Sequence, residues 1–226
     1  MMSRGPTPSA LRPSTRFCKD TPSRITAMRL PRLSSIWILV RGTVWVLPVW
    51  EKAEGWNVKQ QDGALRSALI AYGFDVDSQA AIERMTDGEI ETLVLHEEGE
   101  IAAGRLLGSG WSLKLAGFAG KRAELLARAV RDNLADCLVT LPGLLQRGTE
   151  DSLHFWFSTF DGMRREMFPR LVENYATKGV GAGGTAILID AAEAGRDHFT
   201  ALGLRLLDMD EATIEALSHE PAAIAL

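Results

Sequence analysis

Cysteine is nearly missing from this sequence, with only Cys18 and Cys137 among 226 residues. Two cysteines in unrelated contexts exclude a disulfide scaffold and a cysteine-based metal site, and no other set of metal ligands is read from the spacing. A reducing compartment, the cytoplasm, is the expected location. Also missing is an apolar run of the ~20 residues that a membrane span needs. The longest such run, residues 36–50, has 15 residues and is broken by Arg41. No small-residue cleavage site follows it, so a signal peptide is a poor fit. The composition lacks extremes: 46% apolar and 24% charged residues are ordinary for a globular chain and exclude a disordered or collagenous one.

What the body of the chain lacks most is positive charge. Residues 1–50 hold eight Arg and Lys against the single acid Asp20, a net of +7, which leaves 17 basic and 28 acidic residues, a net of −11, in 51–226. An acidic domain offers no basic face to a nucleic acid, and neither a nucleic-acid partner nor a membrane is expected. Three segments follow. Residues 1–33, rich in Ser, Thr, Arg and five of the nine prolines, read as a disordered basic leader. Residues 34–50 read as a short apolar hairpin turning at Arg41-Gly42, with an anchoring segment, or a gene start at Met28, as the other readings. Residues 51–226 suffice for one domain with a sizeable core.

Within that domain, Leu65, Leu69 and Tyr72 recur at helical spacing and stop at Gly73, and Asp77 or Ser78 caps a second helix that buries Ile82 and Met85. From Ile90 the pattern reads as two strands, 90–96 and 101–107, joined by the acidic turn Glu97-Glu98-Gly99-Glu100. Residues 111–118 extend the sheet. A helix from Lys121 to Leu138 carries Leu126, Ala129, Val130, Leu134 and Cys137 on one stripe and ends at Pro142-Gly143. Leu153, Phe155 and Phe157 alternate with His154, Trp156 and Ser158 as a central strand would. A helical stripe from Met163 to Ala176 contains Pro169, which predicts a kink or a start near Phe168. Strand 185–190, helix 191–202 and strand 204–209 complete an α/β pattern. The glycine run from Lys178 to Gly184 has two readings, a helix end turning into a strand or a phosphate loop ahead of a helix beginning at Thr185.

Residues 93–104, 155–190 and 196–207 together resemble the GCN5-related N-acetyltransferase (GNAT) superfamily over about half of the chain. The resemblance implies an α/β fold, a mixed and mainly antiparallel central sheet flanked by helices, binding acetyl-CoA or another acyl-CoA as cosubstrate and transferring the acyl group to a small-molecule or protein amine. It places coenzyme binding at Phe157, Ser158, Gly162, Arg164 and Arg165 in one register, and at Lys178, Gly179 and Gly181 in the other. Acyl transfer needs a base for the amine and an acid for the thiolate. The candidates are Glu91, with Glu89 beside it, and His198, next to Phe199 where the family has a tyrosine. The missing tyrosine keeps open a non-catalytic relative that binds a partner. Gly104-Arg105-Leu106-Leu107 keeps open an enzyme similar to the acyl-homoserine lactone synthases, although their Trp-Glu-x-Ser-Arg is absent.

Overall fold

Residues 58–60 and 63–226 are described by the computed structural model, and every regular element among them is helical. After a 3₁₀ turn, Val58–Gln60, come α1 (Gly63–Tyr72), α2 (Ser78–Leu107), α3 (Ser109–Gly117) and α4 (Lys121–Ala135). A π-helical turn, Asp136–Thr140, joins α4 to α5 (Leu141–Arg147). Then follow α6 (Glu150–Thr159), α7 (Gly162–Glu166), α8 (Pro169–Lys178), α9 (Ala182–Asp208), α10 (Glu211–Ser218) and a last 3₁₀ turn, Pro221–Ile224.

The α/β sheet expected from the sequence is therefore corrected to an all-α fold. The predicted strands 90–96 and 101–107 are one stretch of α2, 111–118 lies in and just beyond α3, 153–158 lies within α6, and 185–190 and 204–208 belong to α9 with the helix between them, Met209 following its end. The difference has a cause at each place. From Met85 onward the buried positions of α2 are Met85, Glu89, Thr92, Leu95, Gly99, Ala103 and Leu107, a clean helical period, but three of them are polar or glycine, so the apolar stripe is invisible to a count of hydrophobic residues. Gly99 is not a turn residue. A Cβ there would stand 2.5 Å from the Ala135 carbonyl oxygen, so it marks where α2 and α4 come closest. In α6, Leu153, Phe155, Trp156 and Phe157 are all buried, as is Phe160 just beyond its end, and a helix covered on most sides shows no amphipathic period.

Several local expectations hold. Helix α1 ends at Tyr72, and the Asp77 carboxylate caps α2 by accepting from the amides of Gln79 and Ala80 at 3.1 and 3.2 Å. Helix α8 begins at Pro169, whose fixed φ and missing N–H suit a first helical position. Pro142-Gly143 does not end its segment. Pro142 stands in the first turn of α5, which continues from the π-turn.

The principal core gathers α2, α4, the π-turn, α5, α8 and α9, with α10 closing over α4. Its large members include Trp111, Leu126, Leu134, Leu141, Leu144, Phe168 and Phe199, each worth about 1.5–3 kcal/mol of burial. A smaller cluster, Ala68, Leu69, Tyr72, Phe74, Ala81, Ile82, Met85 and Phe155, holds α1 against α6 and the start of α2. The leader and the 34–50 hairpin lie outside the described residues.

Candidate functional site

Two polar clusters interrupt this apolar interior, and both hang from α2. The first is built on the π-turn, whose hydrogen bond from the Leu141 amide to the Asp136 carbonyl is the i to i+5 bond of that geometry. Such insertions in otherwise regular helices are frequent at functional sites. Here the turn carries Asp136, 1% exposed, into the interior. One of its carboxylate oxygens accepts from His96 Nδ1 at 3.1 Å, and the other is ion-paired with Arg164 Nη2. Burial alone would raise the Asp136 carboxyl. The Arg164 charge and the His96 hydrogen bond outweigh it and hold Asp136 below the ordinary carboxylate range.

The other nitrogen of His96 faces Glu100 one turn along α2, Nε2 to Oε1 at 3.5 Å. That oxygen is in turn 2.9 Å from Arg131 Nη2 on α4, and the same Nη2 lies 2.8 Å from Asp132 Oδ1. Burial opposes charge on His96, but its hydrogen bonds to Asp136 and Glu100 and the Asp136 charge prevail, and its pKa is pushed up to about 10. One ligand atom each from His96, Glu100 and Asp132 lies within 4.8 Å of the others. These three side chains are partly exposed, whereas Asp136 beneath them is closed off. The Arg164 guanidinium stands over the Phe160 ring at 5.0 Å and the Trp156 ring at 5.9 Å, so aromatic faces position it as well as charge.

Hydrogen-bonding capacity is left over around Asp136. Asn133 donates from Nδ2 to the Arg164 carbonyl at 3.1 Å while its Oδ1 is buried without a partner. Arg164 Nε is buried without one too, and the Thr140 hydroxyl lies against Asp136 outside good hydrogen-bond geometry. These are three of the five buried, unpartnered side-chain polar atoms among the described residues. Three such atoms in one place mark Asp136 as the polar centre of the interior.

The second cluster is smaller. Tyr72 OH donates to Glu89 Oε1 at 2.5 Å and lies 3.0 Å from Ser152 Oγ, joining α1, α2 and α6. Burial pushes the Glu89 carboxyl up to about 7 against the opposing hydrogen bond from Tyr72 and the nearby hydroxyls of Thr92 and Ser152.

The residues singled out from the sequence scatter over this architecture. Glu91 is exposed and pairs with Arg147 Nη1 at 2.6 Å. His198 Nε2 bonds the Ile224 carbonyl at 2.9 Å and tethers the last 3₁₀ turn to α9. Phe157 is buried and stacked on Tyr175 at 3.8 Å, and Ser158 donates back to the Phe155 carbonyl within α6. Gly162, with φ of 54°, opens α7, and Arg165 is exposed on it. Lys178 is the exposed last residue of α8, Gly179 (φ 66°) ends that helix with its N–H on the Tyr175 carbonyl, and Gly181 caps α9. The glycine run is a helix-to-helix turn. Residues 185–190 are helical, as in the second register, but what precedes the glycines is a helix, not the strand a phosphate loop follows. A Cβ on Gly184 would stand 2.2 Å from the Gly179 carbonyl oxygen, so that glycine serves the tightness of the turn. Of all these residues only Arg164 joins the Asp136 centre. His96 and Glu100 are legible as an i, i+4 pair only if 90–107 is helical, and Asp136 carries no local signal.

The sheet on which the acetyltransferase resemblance rested is not present among the described residues, and helices stand where it would split to admit a coenzyme. No curated protein and no solved structure matches the chain. Residues 47–224 match the C-terminal domain of a family of unknown function, DUF6866, and cover most of the sequence. The chain belongs to the DUF6866 family.

Proposed function

We propose that this helical domain binds one divalent transition-metal ion on His96, Glu100 and Asp132. The observation that carries the reading is the convergence of one imidazole nitrogen and two carboxylate oxygens within 4.8 Å, the histidine held from behind by buried Asp136. A carboxylate on the far ring nitrogen is the usual device for orienting a metal-binding histidine, and Arg164 orients that carboxylate in turn. One nitrogen and two oxygens suit Zn²⁺, Mn²⁺ or Fe²⁺ better than Ca²⁺, which takes six to eight oxygens. Three protein ligands with partial exposure leave coordination positions for water or a small anion, the pattern of a working rather than a purely structural site.

The acyl-transfer reading depended on strands that are helices, and the structure offers it no support. Cytoplasmic placement is kept on the cysteine usage, with Cys137 a free, buried thiol. No helix among the described residues is long and apolar enough to cross a membrane. Isothermal titration of the full chain with Zn²⁺, Mn²⁺ and Fe²⁺ tests the proposal. One ion per chain, lost in His96→Ala, is expected. No heat and no thermal shift at millimolar ion would overturn it.

A further inference from the structure

On the footing of that metal reading, we infer that Arg131 is an internal cation that occupies the site and must leave for the ion to enter. A single atom carries the geometry. Arg131 Nη2 lies 2.9 Å from Glu100 Oε1 and 2.8 Å from Asp132 Oδ1, between the two carboxylates that would otherwise bind metal, and Glu100 Oε1 is also the oxygen facing His96 Nε2 at 3.5 Å. A guanidinium nitrogen bridging two carboxylates satisfies them as a metal would, with a positive charge and directed bonds. Asp132 is the next residue along α4, so the pair moves with one helix, whereas Glu100 belongs to α2. Arg131 thus ties α4 to α2 across the mouth of the site. Arg164 cannot play this part, because it lies on the far side of Asp136, stacked on Phe160 and Trp156.

Arg131 is 17% exposed, much like Glu100 and Asp132 beside it, and none of the three belongs to the apolar core, so its departure uncovers the site without opening that core. The consequence is a latch. Ion entry releases the Arg131 guanidinium from the two carboxylates and the proton from His96 Nε2, and the site discriminates against monovalent ions, whose single charge is too small a replacement for both. Any event that draws Arg131 away, such as a competing anionic ligand on the α4 surface, promotes loading.

The test compares metal affinity in the full-length wild type and in Arg131→Gln by isothermal titration with Zn²⁺ and with Mn²⁺. Removing a partly buried ionic competitor worth about 1.4 kcal/mol makes Arg131→Gln bind about tenfold more tightly. Arg131→Lys, a point charge that cannot bridge both carboxylates as well, falls between the two. Melting in the absence of metal checks that both variants fold, and the lysine variant carries the comparison if the glutamine variant does not. Equal or weaker binding by the variants, with wild type binding metal, overturns the latch and leaves the site standing. No binding by wild type or either variant overturns the metal site itself.

Discussion

Asp136 and Glu89 show two opposite solutions to placing a carboxylate in an apolar interior. Asp136 stays charged because Arg164 and His96 both reach it, while Glu89 has only hydroxyl groups, from Tyr72, Ser152 and Thr92, and its carboxyl rises to about 7. The difference predicts different behaviour. Asp136→Asn keeps the shape but leaves Arg164 without its charge partner, and costs about 3 kcal/mol in urea unfolding. A loss below about 0.5 kcal/mol would show that the pair contributes nothing beyond packing. For Glu89 the folded carboxyl takes up its proton at higher pH than the unfolded one, whose ordinary value is 4.5. Between pH 4.5 and about 7 the folded state binds more protons, so the Glu89 contribution to stability falls as pH rises and levels off above about 7. The wild type should therefore gain stability relative to Glu89→Gln as pH is lowered through that window, by about 3 kcal/mol in all. Parallel stability profiles would refute the assignment.

At the scale of elements, α2 decides how the polar centre is assembled. It is 30 residues long, about 45 Å, and presents Glu89, Thr92, His96 and Glu100 on successive turns toward different partners. Its approach to α4 depends on Gly99. Alanine there gains helix propensity of up to about 1 kcal/mol, but its Cβ meets backbone, which cannot step aside, and the overpacking cost of about 1–3 kcal/mol wins. Gly104, further along the same helix, has open space within 4 Å of where a methyl group would stand. Gly104→Ala should therefore stabilise by about 0.5–1 kcal/mol while Gly99→Ala destabilises, a sign difference that thermal unfolding reads directly. The same glycine explains why the sequence pattern points to a hairpin here. Glu97-Glu98-Gly99-Glu100 has the composition of a hairpin turn, and nothing local distinguishes a glycine that turns a chain from one that admits a neighbouring helix. Likewise the aromatic alternation of 153–157 fits a strand or a helix buried on most sides, and only its packing against α1 chooses.

For the whole described region, two cores of unequal size set unequal local stability. The cluster of eight residues that holds α1 on α6 buries far less than the principal core around α4 and α9. Native-state hydrogen exchange should find α1 amides opening at lower free energy than those in the middle of α9. Equal protection in both would mean that the two clusters unfold as one unit. Sequence alone determined what depends on neighbours along the chain: the end of α1 at Tyr72, the Asp77 cap, the apolar stripe of α4, the start of α8 at Pro169, and the ordinary globular composition with its acidic body. Only the tertiary structure decided that 90–107 is helical and that His96, Asp136 and Arg164 meet. Their contacts span 40 and 28 residues, and a buried polar group has no periodic signature, since its burial is made favourable by partners that only packing brings to it.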